Sequence, residues 1–260
     1  ADNGAYVGFQ RDPPDPQLAF NCAAPAGCNR ISNNSVPDNA DGGGIALMRN
    51  ARAYLYQSVL AGNRARYGSA ALVASGSTLN LEGNVITGNT CVPPPGMGCT
   101  HIEVSSGTAN IRYTTFGSNI PASAVVAKRQ SSLLNLYSSI FSTPYAVLVY
   151  GPPSEYRLDC LLGPFGSAIA PPGATVTRVA TVGNLGFVDA PAGDYRLLPN
   201  SEAVDYCDAT LAPPNVGDLA LAARGYDGPL IELYGLYDLG AFEYYPPIDA
   251  LFKDSFELVR

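Results

Sequence analysis

Few side chains in this sequence could carry acid–base or nucleophilic chemistry. There is one His, His101, and the 15 basic residues include only two Lys, Lys128 and Lys253. Glycoside cleavage needs two carboxyls about 5–9 Å apart, one of them holding a proton. Polysaccharide elimination needs a base such as Arg or Lys beside a uronate, with calcium or another Arg to neutralise the acid. Glu82, Arg112, Lys128 and Asp159 are the candidates for such roles. No Gly-x-Ser-x-Gly elbow, phosphate loop or dinucleotide fingerprint occurs. His101 has no cluster of ligating neighbours and reads as a surface loop residue. Asp38 and Asp41 flank Gly42-Gly-Gly44 without the full spacing of an EF-hand. A plain turn is the stronger reading there and calcium the weaker. The expectation is no metal and no cofactor.

These candidates sit in a repeat. Five segments align without gaps: Ala53–Asn63, Leu79–Asn89, Ala109–Asn119, Leu134–Pro144 and Tyr156–Gly166. Their third column is aliphatic throughout: Leu55, Leu81, Ile111, Leu136 and Leu158, at spacings of 26, 30, 25 and 22 residues. Four residues further on stand Val59, Val85, Thr115, Ile140 and Leu162. A short apolar strand precedes each segment, at Ile45–Leu47, Ala71–Val73, Ile102–Val104, Val125–Val126 and Val147–Val149. Units of this length with two or three short strands fit a coil of a parallel β-helix, whereas a propeller blade needs about 40 residues or more. Strands of successive coils lie about 4.8 Å apart, with side chains alternating in and out. One coil cannot bury its apolar side alone, so coils must stack.

Alternation then turns one set of residues outward. Tyr54 and Tyr56, Asn80 and Glu82, Asn110 and Arg112, Asn135 and Tyr137, and Arg157 and Asp159 form a stripe of phenols, amides and charges. Sugars pack against aromatic faces and bond to planar amides, and Tyr suits such amphipathic contact. The competing reading is a solvated scaffold, an Asn ladder with Glu82 and Arg112 paired between coils. The same phase turns Ala46, Met48, Leu72, Ala74, Ala127 and Leu148 outward on the first strand. That apolar face calls for a cover, either the segment 183–188 or a partner.

Composition narrows the class. Hydrophobic residues are 47% and charged residues 14%, which excludes a charge-rich disordered tail. Gly 27 and Pro 22 favour many short strands over long helices. No stretch approaches the roughly 20 apolar residues of a membrane span. The net charge of −7 disfavours nucleic acid, and acidic polysaccharides too unless the Arg residues cluster. Six Cys suggest disulfides and an oxidising compartment, with a signal peptide already removed. Proximity pairs Cys22 with Cys28 and Cys91 with Cys99, leaving Cys160 with Cys207, although six Cys allow 15 connectivities.

Two turn segments, Asn34–Ile45 and Asn63–Ala70, resemble those of secreted bacterial right-handed parallel β-helix repeat proteins. Asp194–Asp205 and Tyr237–Glu243 resemble the closing segment of the choice-of-anchor Q type, found in adhesin-like and polysaccharide-lyase-like proteins. That type usually has Pro where Glu202 stands and Gly near Cys207. The tail Leu251–Glu257 is similar to a short terminal motif of secreted gammaproteobacterial proteins, with Ser255 in place of the usual Gly. The resemblance implies an all-β, right-handed parallel β-helix with an irregular C-terminal closing segment, secreted or on the cell surface. The corresponding division is an irregular lead-in over 1–40, regular coils over 41–168, a closing segment over 169–246 and a tail over 247–260. The leading function is a module binding a polysaccharide or a surface protein. A polysaccharide lyase or glycosidase using the outward column is the alternative. Assembly through the coil ends or the apolar first-strand face is a third class.

Overall fold

The structure is a computed structural model that describes residues 6–9, 29–93, 98–118, 124–129, 131–144, 147–149, 152–164, 177–208, 213–226 and 235–246. Cys22, Cys28, the loop 171–173, Lys253 and the tail lie outside the described residues. The chain is a parallel β-solenoid. Its first rung carries β1 (Tyr6–Phe9) and β2 (Asn29–Ser32). The next carries β3 (Ile45–Leu47), β4 (Arg52–Tyr56), β5 (Ser58–Ala61) and β6 (Arg64–Ala65). Then come β7 (Ala71–Ala74), β8 (Thr78–Glu82), β9 (Val85–Thr87) and β10 (Thr90–Cys91). They are followed by β11 (Thr100–Ser105), β12 (Thr108–Arg112) and β13 (Thr115–Phe116). The last rungs are built from β14 (Ala124–Lys128), β15 (Leu133–Phe141), β16 (Val147–Val149), β17 (Tyr156–Pro164) and β18 (Thr177–Val182). A short hairpin of β19 (Phe187–Asp189) and β20 (Asp194–Leu197) lies in the closing segment. Within 1–40 the described strands are β1 and β2.

Three faces result. Face A stacks β1, β4, β8, β12, β15 and β17; face C stacks β3, β7, β11, β14 and β16. Face B stacks β2, β5, β9 and β13, joined by the second halves of β15 and β17 and by β18. Among the described residues every rung-to-rung pairing is parallel; in the closing segment β19 pairs β20 antiparallel and Cys207 bridges Tyr237 antiparallel. The expected aliphatic column, Leu55, Leu81, Ile111, Leu136 and Leu158, points into the solenoid and is buried. Phe116 and Phe141 stack inside it with ring centroids 4.8 Å apart.

Faces A and B meet at a corner of stacked residues in left-handed conformation: Gln57, Gly83, Tyr113, Ser138 and Cys160, with φ between 46° and 68°. Four of the five are not glycine, a conformation uncommon for L-residues. The parallel ladders on both sides hold it in place. Buried Asn84 supports the turn, accepting from Ser58 N (2.9 Å) and donating to the Leu55 carbonyl (3.0 Å). At the far end of face B, Asn34 donates to Asn63 and Asn63 to Asn89, both at 3.0 Å. The recurring Asn of the repeat thus serves backbone groups that the corners leave without ladder partners.

The corner also resets the alternation. Past it, Leu60, Ile86 and Phe141 point inward, while Val59, Val85, Thr115, Ile140 and Leu162 face outward beneath the closing segment. Leu185 and Phe187 belong to that cover. The segment 183–188 therefore covers face B and not the first-strand face. Its packing partners are the outward apolar residues of face B, Val59, Val85, Ile140 and Leu162, whereas the first-strand column Ala46–Leu72–Glu103–Ala127–Leu148 carries Glu103 ion-paired to Arg129 (2.5 Å). On that face Leu72 and Ala127 are buried, while Met48 is half exposed. Tyr195 pins the closing segment to face B. Its hydroxyl bonds Thr87 Oγ1 and accepts from Ser118 N, each at 2.9 Å. A Cβ on Gly117 would stand 2.2 Å from that hydroxyl, so only glycine fits beneath it.

Candidate functional site

The outer side of face A brings the expected stripe together. One column runs Tyr54, Asn80, Asn110, Asn135, Arg157; the next runs Tyr56, Glu82, Arg112, Tyr137, Asp159. They border a groove of about 330 Å³. Of the ten residues expected on the stripe, Asp159 alone does not line it. Along the first column Asn110 donates to Asn80 (2.8 Å) and Asn135 to Asn110 (2.7 Å). Asn110, between the other two, spends one N–H and one lone pair on its neighbours and keeps the others for solvent or ligand, while Asn80 donates to the Ala53 carbonyl (3.4 Å). Tyr54 and Tyr56 are half-buried, with ring centroids 6.3 Å apart. The Tyr137 hydroxyl meets the Arg157 guanidinium; burial raises its pKa, and Arg157 opposes that rise.

The second column's carboxylates are committed inward. Glu82 is only 1% exposed. It pairs with Arg112 at 2.9–3.0 Å and accepts from the backbone N–H groups of Asn215 (2.5 Å) and Val216 (3.2 Å). Arg112 also donates to the Pro213 carbonyl (2.9 Å), and Gln57 to that of Asp218 (3.0 Å). The segment 213–218 is thereby strapped across the corner, and Asn215 forms a wall of the groove. Sequence reasoning missed this wall; Pro213-Pro-Asn215 is legible as a loop, but its landing place is not. Asp159 is 3% exposed and bonds Arg178 (2.7 Å), which also holds Asp208 (2.5 Å). Lys128 is not on this face. It continues the inward column Leu47, Val73, Val104 and is fully buried in an ion pair with Glu155. Glu155 sits on the 3₁₀ turn Pro153–Glu155 beside β17.

His101 is likewise not at the surface. It is fully buried on β11, with Nδ1 2.7 Å from Ser69 Oγ, and burial lowers its pKa to about 4. Asp38 and Asp41 are paired with Arg64 (2.7 Å) and Arg66 (2.8 Å). Among the described residues no group of three His, Cys, Asp or Glu could hold a metal ion. Among the described residues two disulfides are present, Cys91–Cys99 and Cys160–Cys207.

A second titratable cluster lies within the closing segment. Asp205, Asp218, Asp238 and Glu243 are all buried, and Arg224 stands among them with a buried side chain. Each of three carboxylates ties two backbone N–H groups: Asp218 those of Ala222 and Glu243, Asp238 those of Asp205 and Tyr244, Glu243 those of Gly225 and Tyr226. The Arg224 guanidinium lies over the Tyr113 ring, 4.3 Å from its centroid. Burial, first of all, raises the pKa of Asp218 against the opposing Arg224 charge; burial and then carboxylate repulsion raise that of Asp238 to about 8, and burial with repulsion from Asp218 raises that of Glu243 to about 7. Folding therefore takes up protons, and this stability, whole below about pH 4, is lost progressively as pH rises to about 7–8. Buried neutral His101 works oppositely below about pH 6.5. Above that only the carboxyl effect remains. The melting temperature is expected to fall between pH 6.5 and 8.5, and Glu243→Gln to flatten the slope. A flat or rising profile in wild type would contradict this.

Comparison with family models, with curated proteins and with solved structures finds no match to this chain.

Proposed function

We propose that this chain is a polysaccharide-binding module that presents the face A groove at the outside of a cell. The observation that carries the reading is the composition of the groove. It offers half-buried phenols at Tyr54, Tyr56 and Tyr137, a continuous amide column from Asn80 to Asn135, and a volume of about 330 Å³. Ligand sites combine such apolar area with a few placed polar groups. Coils spaced about 4.8 Å apart repeat the amide at a distance close to one sugar ring of an extended chain. A polysaccharide lying along the solenoid axis would meet one Asn per ring. Binding is favoured over cleavage because Glu82 and Asp159 are buried and ion-paired. A glycosidase needs its two carboxyls open to the scissile bond.

The resemblance to choice-of-anchor Q proteins supports a right-handed coil and a secreted or surface location. The two disulfides support an oxidising compartment. A polysaccharide panel tests the reading. Tyr137→Ala and Tyr54→Ala should each weaken retention, on the order of 3- to 10-fold, with the melting temperature nearly unchanged. Retention that survives both substitutions would place binding elsewhere.

A further inference from the structure

The charges of the groove cancel unevenly. Glu82 is consumed by Arg112 and by the 215–216 backbone, and Arg112 by Glu82 and Pro213. Asp159 is consumed by Arg178, which also binds Asp208. What faces an occupant is neutral phenol and amide over four rungs, and then Arg157. Arg157 is exposed, lines the groove, and among the described residues forms no ion pair. Its described partner is the Tyr137 hydroxyl. That single contact leaves most of the five guanidinium N–H donors open and helps to fix the plane of the fork. A planar fork matches a carboxylate through two parallel hydrogen bonds, a geometry a point cation cannot offer. The net charge of −7 does not oppose this locally, because the screening length is about 8 Å at physiological salt.

We infer that the groove takes a linear glycan bearing a carboxylate, and that Arg157 selects it. This rests on the groove being the glycan site. Neutral rings lie along Tyr54, Asn80, Asn110 and Asn135, and the acidic sugar lies at the β17 end. Arg52 is also exposed on face A but does not line the groove, so it serves as a control of equal charge.

The test compares matched linear oligosaccharides, one neutral, one with carboxylated rings and one sulfated, by calorimetric titration at physiological salt. Wild type is expected to hold the carboxylated form at least 10-fold tighter than the neutral one. Arg157→Gln should bring the two within about 2-fold, and Arg52→Gln, at a residue outside the groove, should leave the preference intact. Equal binding of both forms by wild type, or a preference that survives Arg157→Gln, overturns the inference while leaving the groove reading standing. Tighter binding of the sulfated form overturns the carboxylate assignment. If no form binds, or Tyr137→Ala leaves every affinity unchanged, the groove reading falls and the inference with it.

Discussion

Replacing both Cys160 and Cys207 with Ser is expected to destabilise the fold by about 4 kcal/mol, the loop-closure value for a loop of this length. The bridge spans 47 residues of sequence and joins the corner after face A to the closing segment. Cys207 packs with Ile140, Leu162, Leu185 and Leu239, the cluster that seats the closing segment on face B. Without the bridge the denatured chain is less constrained and that cover is held by packing alone. For a chain of this size about 2–4 °C of melting temperature accompanies each kcal/mol. Calorimetry should therefore show a fall of about 8–16 °C. A fall below about 2 °C would mean that the bridge is incidental. The Cys91–Cys99 bridge closes a separation of only 8 residues, and its loss should cost less.

Glu82→Ala is expected to cost about 3–5 kcal/mol, the range for removing one partner of a buried ion pair. The substitution leaves the Arg112 guanidinium and the N–H groups of Asn215 and Val216 without their acceptor. Glu82→Gln should cost less, since its amide oxygen still accepts from the 215–216 backbone. Thermal melts of both variants and of Arg112→Ala give the comparison. Near-wild-type stability in Glu82→Ala would show the strap to be superficial. In that case the carboxylate would again be a candidate for chemistry.

The inward column from Leu55 to Leu158 and its outward neighbours are legible in the sequence, because both follow from alternation along an ungapped strand. Counting four residues onward to Val59 and Leu162 does not preserve the inward face. A left-handed residue at Gln57, Tyr113, Ser138 or Cys160 turns the strand, and three of these four positions carry no glass-clear turn residue such as Gly, Asn or Ser. Lys128 reads as a surface cation by type, yet its register with Val73 and Val104 turns it inward, and its counter-ion Glu155 lies 27 residues away. The groove's floor was legible for the same reason as the core. Its wall was not, because the contact between Glu82 and Asn215 spans 133 residues with no periodic pattern to announce it. The buried acids are scattered in the same way, at Asp205, Asp218, Asp238 and Glu243, on segments without repeat.

The most direct test of the central claim is a crystal structure of the protein with the oligosaccharide it retains best. Sugar rings are expected in the face A groove, packed on Tyr54 and Tyr137 and bonded to the Asn80–Asn110–Asn135 column. Sugar density elsewhere, for example in the recess walled by Leu197, Pro199 and Tyr244, with the face A groove holding only solvent, would contradict it.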